Sequence, residues 1–266
     1  MPVILIEGDG DPRIADYRNV PDAELVHRRG LFVAEGRLVV RRLLEESPLI
    51  ARSVMATAPA FESIADLLTS RPDLPVYHVT QVTMDGVTGF NVHRGCLAIG
   101  ERPEPRPWMD AASRAQAIVV LERIGNADNV GGVFRNARAL GANAVLLGPG
   151  CADPLYRKAI RTSMGAALLV PFAHASPWPE ALVALREAGM AVVAMTPAAE
   201  APPLHDVALR LRGARVALVF GHEGEGLTPE ALNACDHRAR VPMSGFDSLN
   251  VASSSAIGLY ELTRRP

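Results

Sequence analysis

The chain has 266 residues, of which 48% are hydrophobic and 21% charged, with a formal net charge of −2. That is the balance of an ordinary globular protein, long enough for two small domains or one large α/β domain with an appendage, and its acidic excess gives no bulk attraction for nucleic acid. No apolar stretch approaches a membrane span, Met1-Pro2-Val3-Ile4-Leu5-Ile6-Glu7 lacks the basic start of a signal peptide, and three scattered cysteines without a CxxC pair point to a reducing cytoplasm and no structural zinc.

In chain order, the first clear pattern is a helix over Gly36–Glu46, with Leu38, Val39, Leu43 and Leu44 at helical spacing. Ala51–Ala56 and Val76–Val79 read as strands, with a helix over Phe61–Thr69 between them, and strand Cys96–Ile99 closes a small α/β unit. Residues 101–109 carry three prolines among charges and read as an extended linker. The expected division is therefore a first domain over 1–102, a linker over 103–112 and a second domain over 113–266.

Beyond the linker, strand and helix patterns alternate. Strand Ile118–Leu121 precedes a helix starting near Asn129, then come strand Ala144–Leu147, helix Pro154–Met164 and strand Ala167–Val170. Helix Pro179–Ala188 leads to strands Ala191–Met195 and Arg215–Phe220. A short helix opens at Thr228-Pro229-Glu230, with Thr as cap and Pro at its first position. Strand Arg238–Val241 and a helix over Ser248–Thr263 finish the chain. Such alternation means a parallel sheet with helices on both faces, in which ligands sit beyond the carboxyl ends of the strands.

Three polar clusters follow three of those strands. In the first, Asn126 to Arg135, Asn129 is read as a helix cap and Gly131-Gly132 open the first turn to an anion; a polar-capped surface helix is the plainer alternative. In the second, Val219 to Leu227, three glycines in six residues imply a tight turn or a close backbone approach. Glu223 and Glu225 there favour a neutral or cationic ligand. In the third, Val241 to Ala256, Pro242 ends a strand, and Ser248 or Asn250 caps a helix whose small residues allow close packing. Neither GxGxxG nor GxxxxGK[ST] occurs, which disfavours a nicotinamide enzyme or a Walker loop.

In order and spacing the clusters resemble motifs one, two and three of the SpoU (TrmH-like) branch of SPOUT methyltransferases. N-x-G-x(3)-R stands at Asn129, Gly131 and Arg135, and G-x-E-G-x-G at Gly221, Glu223, Gly224 and Gly226. P-M-x-G is Pro242-Met243-Ser244-Gly245, followed by Ser248-Leu249-Asn250-Val251. The resemblance covers residues 115–263. More weakly, Phe32-Val-Ala-Glu-Gly36 and His93-Arg-Gly-Cys-Leu97 resemble the L30e-like substrate-binding domain of ribosomal-RNA members. Asn126-Ala127 stands where that family has Asp-Pro, and His222 where it has a small or polar residue.

The resemblance implies an α/β fold whose C-terminal parallel sheet carries a trefoil knot, preceded by a smaller L30e-like α/β domain. It implies a cytoplasmic homodimer that uses S-adenosylmethionine, held by Gly221, Val241, Met243 and Leu249, to methylate a ribose 2′-hydroxyl in ribosomal RNA without a metal. A transfer-RNA ribose methyltransferase, or a non-catalytic RNA-binding protein on the same fold, is the alternative. Arg135 becomes the central catalytic residue, with Asn129, Glu223, Ser248 and Asn250 around the target nucleotide. A guanidinium keeps its proton, so Arg135 is expected to bind phosphate and stabilise charge on the attacking oxygen, leaving Glu223 or a substrate phosphate to take the proton. Arg28, Arg29, Arg37, Arg41 and Arg42 are expected to contact RNA phosphates, with Arg157, Lys158 and Arg161 as the other basic cluster.

Overall fold

Residues 3–89, 91–92, 95–245 and 247–263 are described by the computed structural model; His93 and Arg94 of the L30e-like signature lie outside them. Contacts divide the chain into two units, Met1–Glu104 with Leu155–Leu169, and Pro105–Pro154 with Val170–Pro266.

In the first unit, strands β1 (Val3–Leu5), β2 (Leu31–Glu35), β3 (Ala51–Ala56), β4 (Val76–His78) and β5 (Cys96–Glu101) form one sheet in the order β1-β4-β3-β5-β2. β4 runs parallel to β1 and β3, whereas β5 is antiparallel to β3 and β2. Gly36, at φ 92°, turns the chain from β2 into helix α1 (Arg37–Glu45), which buries Val39, Val40, Leu43 and Leu44 and leaves Leu38 exposed. The helix expected over Phe61–Thr69 is two short ones, α2 (Ala58–Glu62) and α3 (Ala65–Thr69), because buried Ile64 leaves helical geometry between them. α4 (Gln81–Thr88) opens on a Thr80 side-chain cap and closes on left-handed Gly89.

The second unit begins with α5 (Trp108–Ala112), a helical turn inside the expected linker, and strand β6 (Ala117–Leu121). Helix α6 (Ala127–Leu140) is capped by Asn126, whose side chain accepts from the Asp128 N–H at 2.9 Å. Asn129 therefore lies within the first turn and is not the cap. After β7 (Ala144–Leu147), helix α7 (Arg157–Thr162) belongs to the first unit. There the Arg157 N–H donates to Asp22 at 3.1 Å, Arg42 donates to the Met164 carbonyl, and Tyr156 meets His27 at 3.1 Å. The expected strand at Ala167–Val170 is instead a buried helical turn over Ala166–Leu168, started by Gly165 at φ 84°. Burial, not sheet pairing, accounts for that apolar run.

The remaining elements are β8 (Phe172–His174), α8 (Glu180–Glu187), β9 (Ala191–Met195), α9 (Leu204–Arg210), β10 (Val216–Phe220), α10 (Pro229–Ala234), β11 (His237–Ala239) and α11 (Val251–Thr263). Among the described residues the strands of this unit form one six-stranded parallel sheet in the order β11-β9-β10-β6-β7-β8. Strand residues alternate between two buried faces. Ile118, Val120, Ala217 and Val219 join Leu182 and Leu185 of α8 in one core cluster, while Leu218 and Phe220 face Gly258 of α11. α6 and α11 approach so closely that a Cβ at Gly132 would lie 2.6 Å from the Ala252 Cβ. Asn136 of α6 donates to the Ala252 carbonyl at 2.6 Å and to Ser255 at 3.0 Å. No helix among the described residues is long and apolar enough to cross a membrane.

Candidate active site

The glycine-rich loop Gly221–Leu227 leaves the carboxyl end of β10. His222 and Gly226 exchange backbone hydrogen bonds of 3.0 and 2.8 Å, and Gly226 takes φ 72°. A Cβ at Gly221 would lie 2.3 Å from the backbone of Gly226 and Leu227, so only glycine fits. Glu122, directly after β6, anchors both ends of this loop. Its N–H donates to the Phe220 carbonyl at 2.9 Å, and its carboxylate accepts from Thr228 N–H and Oγ1, each at 2.8 Å, and from Trp178 Nε1 at 2.7 Å. These bonds allow a carboxylate only 1% exposed to remain buried. Its neighbour Arg123, at φ 59°, pairs with Glu225 at the loop tip. The hydrogen bonds and charge of Arg123 hold the Glu225 carboxyl below the usual carboxylate range.

Beside this loop lies a cleft of about 470 Å³, walled by the segments that follow β9, β10 and β11. Gly221, Val241, Met243 and Leu249 line it, together with Glu223 and Ser248. Its carboxylates are Glu223, Glu225 and Asp247, and Met195, Phe220 and Leu227 add apolar surface. Acidic groups around an apolar wall suit a cationic ligand with a flat, weakly polar part. A sulfonium donor carrying a nucleoside is such a ligand.

Three motifs meet at Glu223. Asn129, 7% exposed, donates through Nδ2 to Glu223 Oε1 at 2.5 Å. Asn250 donates through Nδ2 to Asn129 Oδ1 at 2.9 Å and to Glu223 Oε1 at 3.0 Å. The Asn250 Oδ1 meanwhile accepts from the Ala252 N–H at 2.8 Å, capping α11. Arg135 does not join this trio. Six residues along a helix turn about 600°, which sets Arg135 roughly 120° around α6 from Asn129. It is exposed, and no hydrogen-bond or ion-pair partner holds it among the described residues.

The arginines expected to bind RNA lie in the first unit and are differently engaged. Arg29 pairs with Glu24 at 2.8 Å and Asp16 at 3.4 Å. Arg41 grips Asp66 through two bonds of 2.8 and 2.9 Å, and Arg42 donates to the Met164 carbonyl. Arg28 is exposed and Arg37 half-buried. Arg161 lies 3.9 Å from Glu35. Among the described residues no group of three or more His, Cys, Asp or Glu is set to hold a metal.

Sequence reasoning missed two parts of the site. The segment Met195 to Ala198 lines the cleft, and its only signal was its place after an apolar strand. Glu122 and Arg123 carried a clearer sign, a charged pair ending the wholly apolar run Ala117–Leu121.

Residues 116–260 match the SpoU rRNA Methylase family. The chain is 42% identical over 260 residues, covering 96% of its length and 89% of the relative's, to an uncharacterized tRNA/rRNA methyltransferase of Mycobacterium bovis. It is 31% identical over 202 residues, 73% of this chain and 80% of the other, to the 23S rRNA (guanosine-2′-O-)-methyltransferase RlmB of Xylella fastidiosa. Its fold resembles that of the AdoMet-bound rRNA methyltransferase of Sinorhizobium meliloti with a TM-score of 0.81 at 25% identity, over 98% of this chain and 97% of that one. The family match spans more than half of the 266 residues and contains all three motif loops that converge on Glu223, so the chain belongs to the SpoU rRNA methylase family.

Proposed function

We propose that this protein is an S-adenosylmethionine-dependent RNA methyltransferase acting on a ribose 2′-hydroxyl, with ribosomal RNA as its substrate class and the cytoplasm as its location. One observation carries the reading: Asn129, Glu223 and Asn250, from three separate motifs, close one hydrogen-bonded trio beside an acidic cleft. The carboxylates and apolar wall of that cleft suit the donor, with Gly221, Val241, Met243 and Leu249 as its contacts. When bound, the donor supplies an electrophilic methyl group on a cationic sulfur.

The residues of the chain then have distinct tasks. Asn129 and Asn250 hold the Glu223 carboxylate in one orientation, which orders the site before substrate arrives. Arg135, permanently charged, exposed and without a partner among the described residues, is available to a substrate phosphate and to charge developing on the attacking oxygen. Glu223 or the substrate phosphate accepts the hydroxyl proton, and Ser248 borders the target nucleotide. The first unit, read as an L30e-like domain, supplies RNA contacts through Arg28, Arg29, Arg37, Arg41 and Arg42. Those already paired must exchange partners to reach phosphate.

The reading includes a homodimer and a knotted C-terminal segment. Ile257 and Tyr260, one turn apart on α11 and 37% and 53% exposed, leave apolar surface suited to a second copy. The test is Arg135→Ala, followed by methyl transfer to ribosomal RNA and by calorimetry with S-adenosylmethionine. Turnover is expected to fall about 10²–10³-fold with donor affinity unchanged; near-normal turnover would remove Arg135 from the chemistry.

A further inference from the structure

His222 is the residue at which motif two departs from its family, and nothing in the function proposed above uses it. It is the first residue of the tight turn that carries Glu223 and Glu225, closed by the paired backbone bonds between His222 and Gly226. Within that turn, the N–H groups of Gly224 and Glu225 both point to His222 Nδ1, at 3.1 and 3.3 Å. One ring nitrogen thus satisfies two adjacent backbone donors at the loop tip. The two glutamates beside it diverge: Glu223 receives Asn129 and Asn250, whereas Glu225 receives Arg123. Nδ1 thus ties down the stretch of backbone that follows Glu223 and carries Glu225.

The geometry points to His222 as a positioning residue for methyl transfer. We propose that its unprotonated Nδ1 folds the loop tip so that Glu223 reaches Asn129 and Asn250. This rests on the reading that Glu223 belongs to the active site. Nδ1 can accept only when it carries no proton, so the working form is the neutral imidazole with its hydrogen on Nε2. Protonation turns Nδ1 into a donor facing two other donors, and the tip must rearrange. Of the charged groups near this turn, Glu225 interacts with the ring of His222 and pairs with Arg123, while Glu223 and Asp247 line the same cleft as His222. Glu225 is held below the ordinary carboxylate range by the hydrogen bond and charge of Arg123.

Three variants of the full-length protein test this: His222→Asn, His222→Ala and Glu223→Ala. Each is assayed with methyl-labelled S-adenosylmethionine and total RNA from a strain deleted for the gene, between pH 5.5 and 8.5, with thermal unfolding alongside. The Asn Oδ1 falls close to where His Nδ1 stands and accepts without titrating. His222→Asn is therefore expected to keep turnover within about twofold of wild type at pH 8, and to lose less activity than wild type on acidification. His222→Ala is expected to lose about tenfold in kcat, the scale of two lost hydrogen bonds, with an unfolding midpoint close to wild type. Wild-type turnover in His222→Ala, or an Asn variant as impaired as the Ala variant while still folded, would overturn the proposal. Full activity in Glu223→Ala, which removes the oxygen that receives Asn129 and Asn250, would instead overturn the reading of Glu223 on which it rests.

Discussion

Gly221 shows how one absent side chain shapes the site. The loop after β10 must fold back on itself within a few residues, and a Cβ at Gly221 would lie 2.3 Å from the Gly226 carbonyl carbon and the Leu227 nitrogen. Backbone cannot yield as a flexible side chain can, so Gly221→Ala opens the loop and moves both carboxylates. We expect calorimetric affinity for S-adenosylmethionine to fall tenfold or more, the equivalent of about 1–3 kcal/mol of overpacking; unchanged affinity would mean that the donor does not sense this loop. Resemblance to the SpoU motifs, rather than composition or spacing, singled out Gly221, Val241, Met243 and Leu249, and all four line one cleft. Of the readings of Asn129, only that of a helix cap fails. An asparagine near a helix start either caps or faces inward, and Asn126, three residues earlier, takes the cap. Nor does sequence spacing reveal that Arg41 is held by Asp66, 25 residues away.

At the scale of elements, α6 and α11 bring the first and third motifs together. Their contact depends on Gly132 against Ala252, with Asn136 bridging the helices. Gly132→Ala would put its Cβ 2.6 Å from that of Ala252, and we expect a loss of about 1–3 kcal/mol in denaturant unfolding. Adding Ala252→Gly should recover part of it, since the two sites share one contact; strict additivity in that cycle would show that the helices do not meet there. The parallel sheet itself was readable, because β6, β7 and β10 are continuous apolar runs buried on both faces. The same rule failed at Ala167–Val170, since a short apolar run does not distinguish a strand from a buried turn. The turn's cause is local, in Gly165 at φ 84°.

At the scale of the whole chain, sequence order and spatial grouping part company. Residues 155–169 follow β7 but pack with the first unit, and no composition shift marks their departure. The three cysteines are similarly set by packing. Burial pushes Cys96 and Cys235 up to about 12 and Cys151 to about 11. A raised thiol pKa keeps the group protonated until pH approaches that value, and the thiolate is the reactive form. At pH 8 a disulfide reagent should therefore react slowly with the native protein and rapidly with three equivalents after denaturation; a fast native equivalent at pH 8 would contradict this burial. The most direct measurement of function is the position of the transferred methyl group. Purified protein is incubated with methyl-labelled S-adenosylmethionine and ribosomal RNA from a strain lacking the gene, and the RNA is digested to nucleosides for mass spectrometry. The label should appear on the ribose of a single 2′-O-methyl nucleoside and fall about 10²–10³-fold in initial rate with Arg135→Ala. Label on a base, or none on ribosomal RNA when the donor is bound, would contradict it.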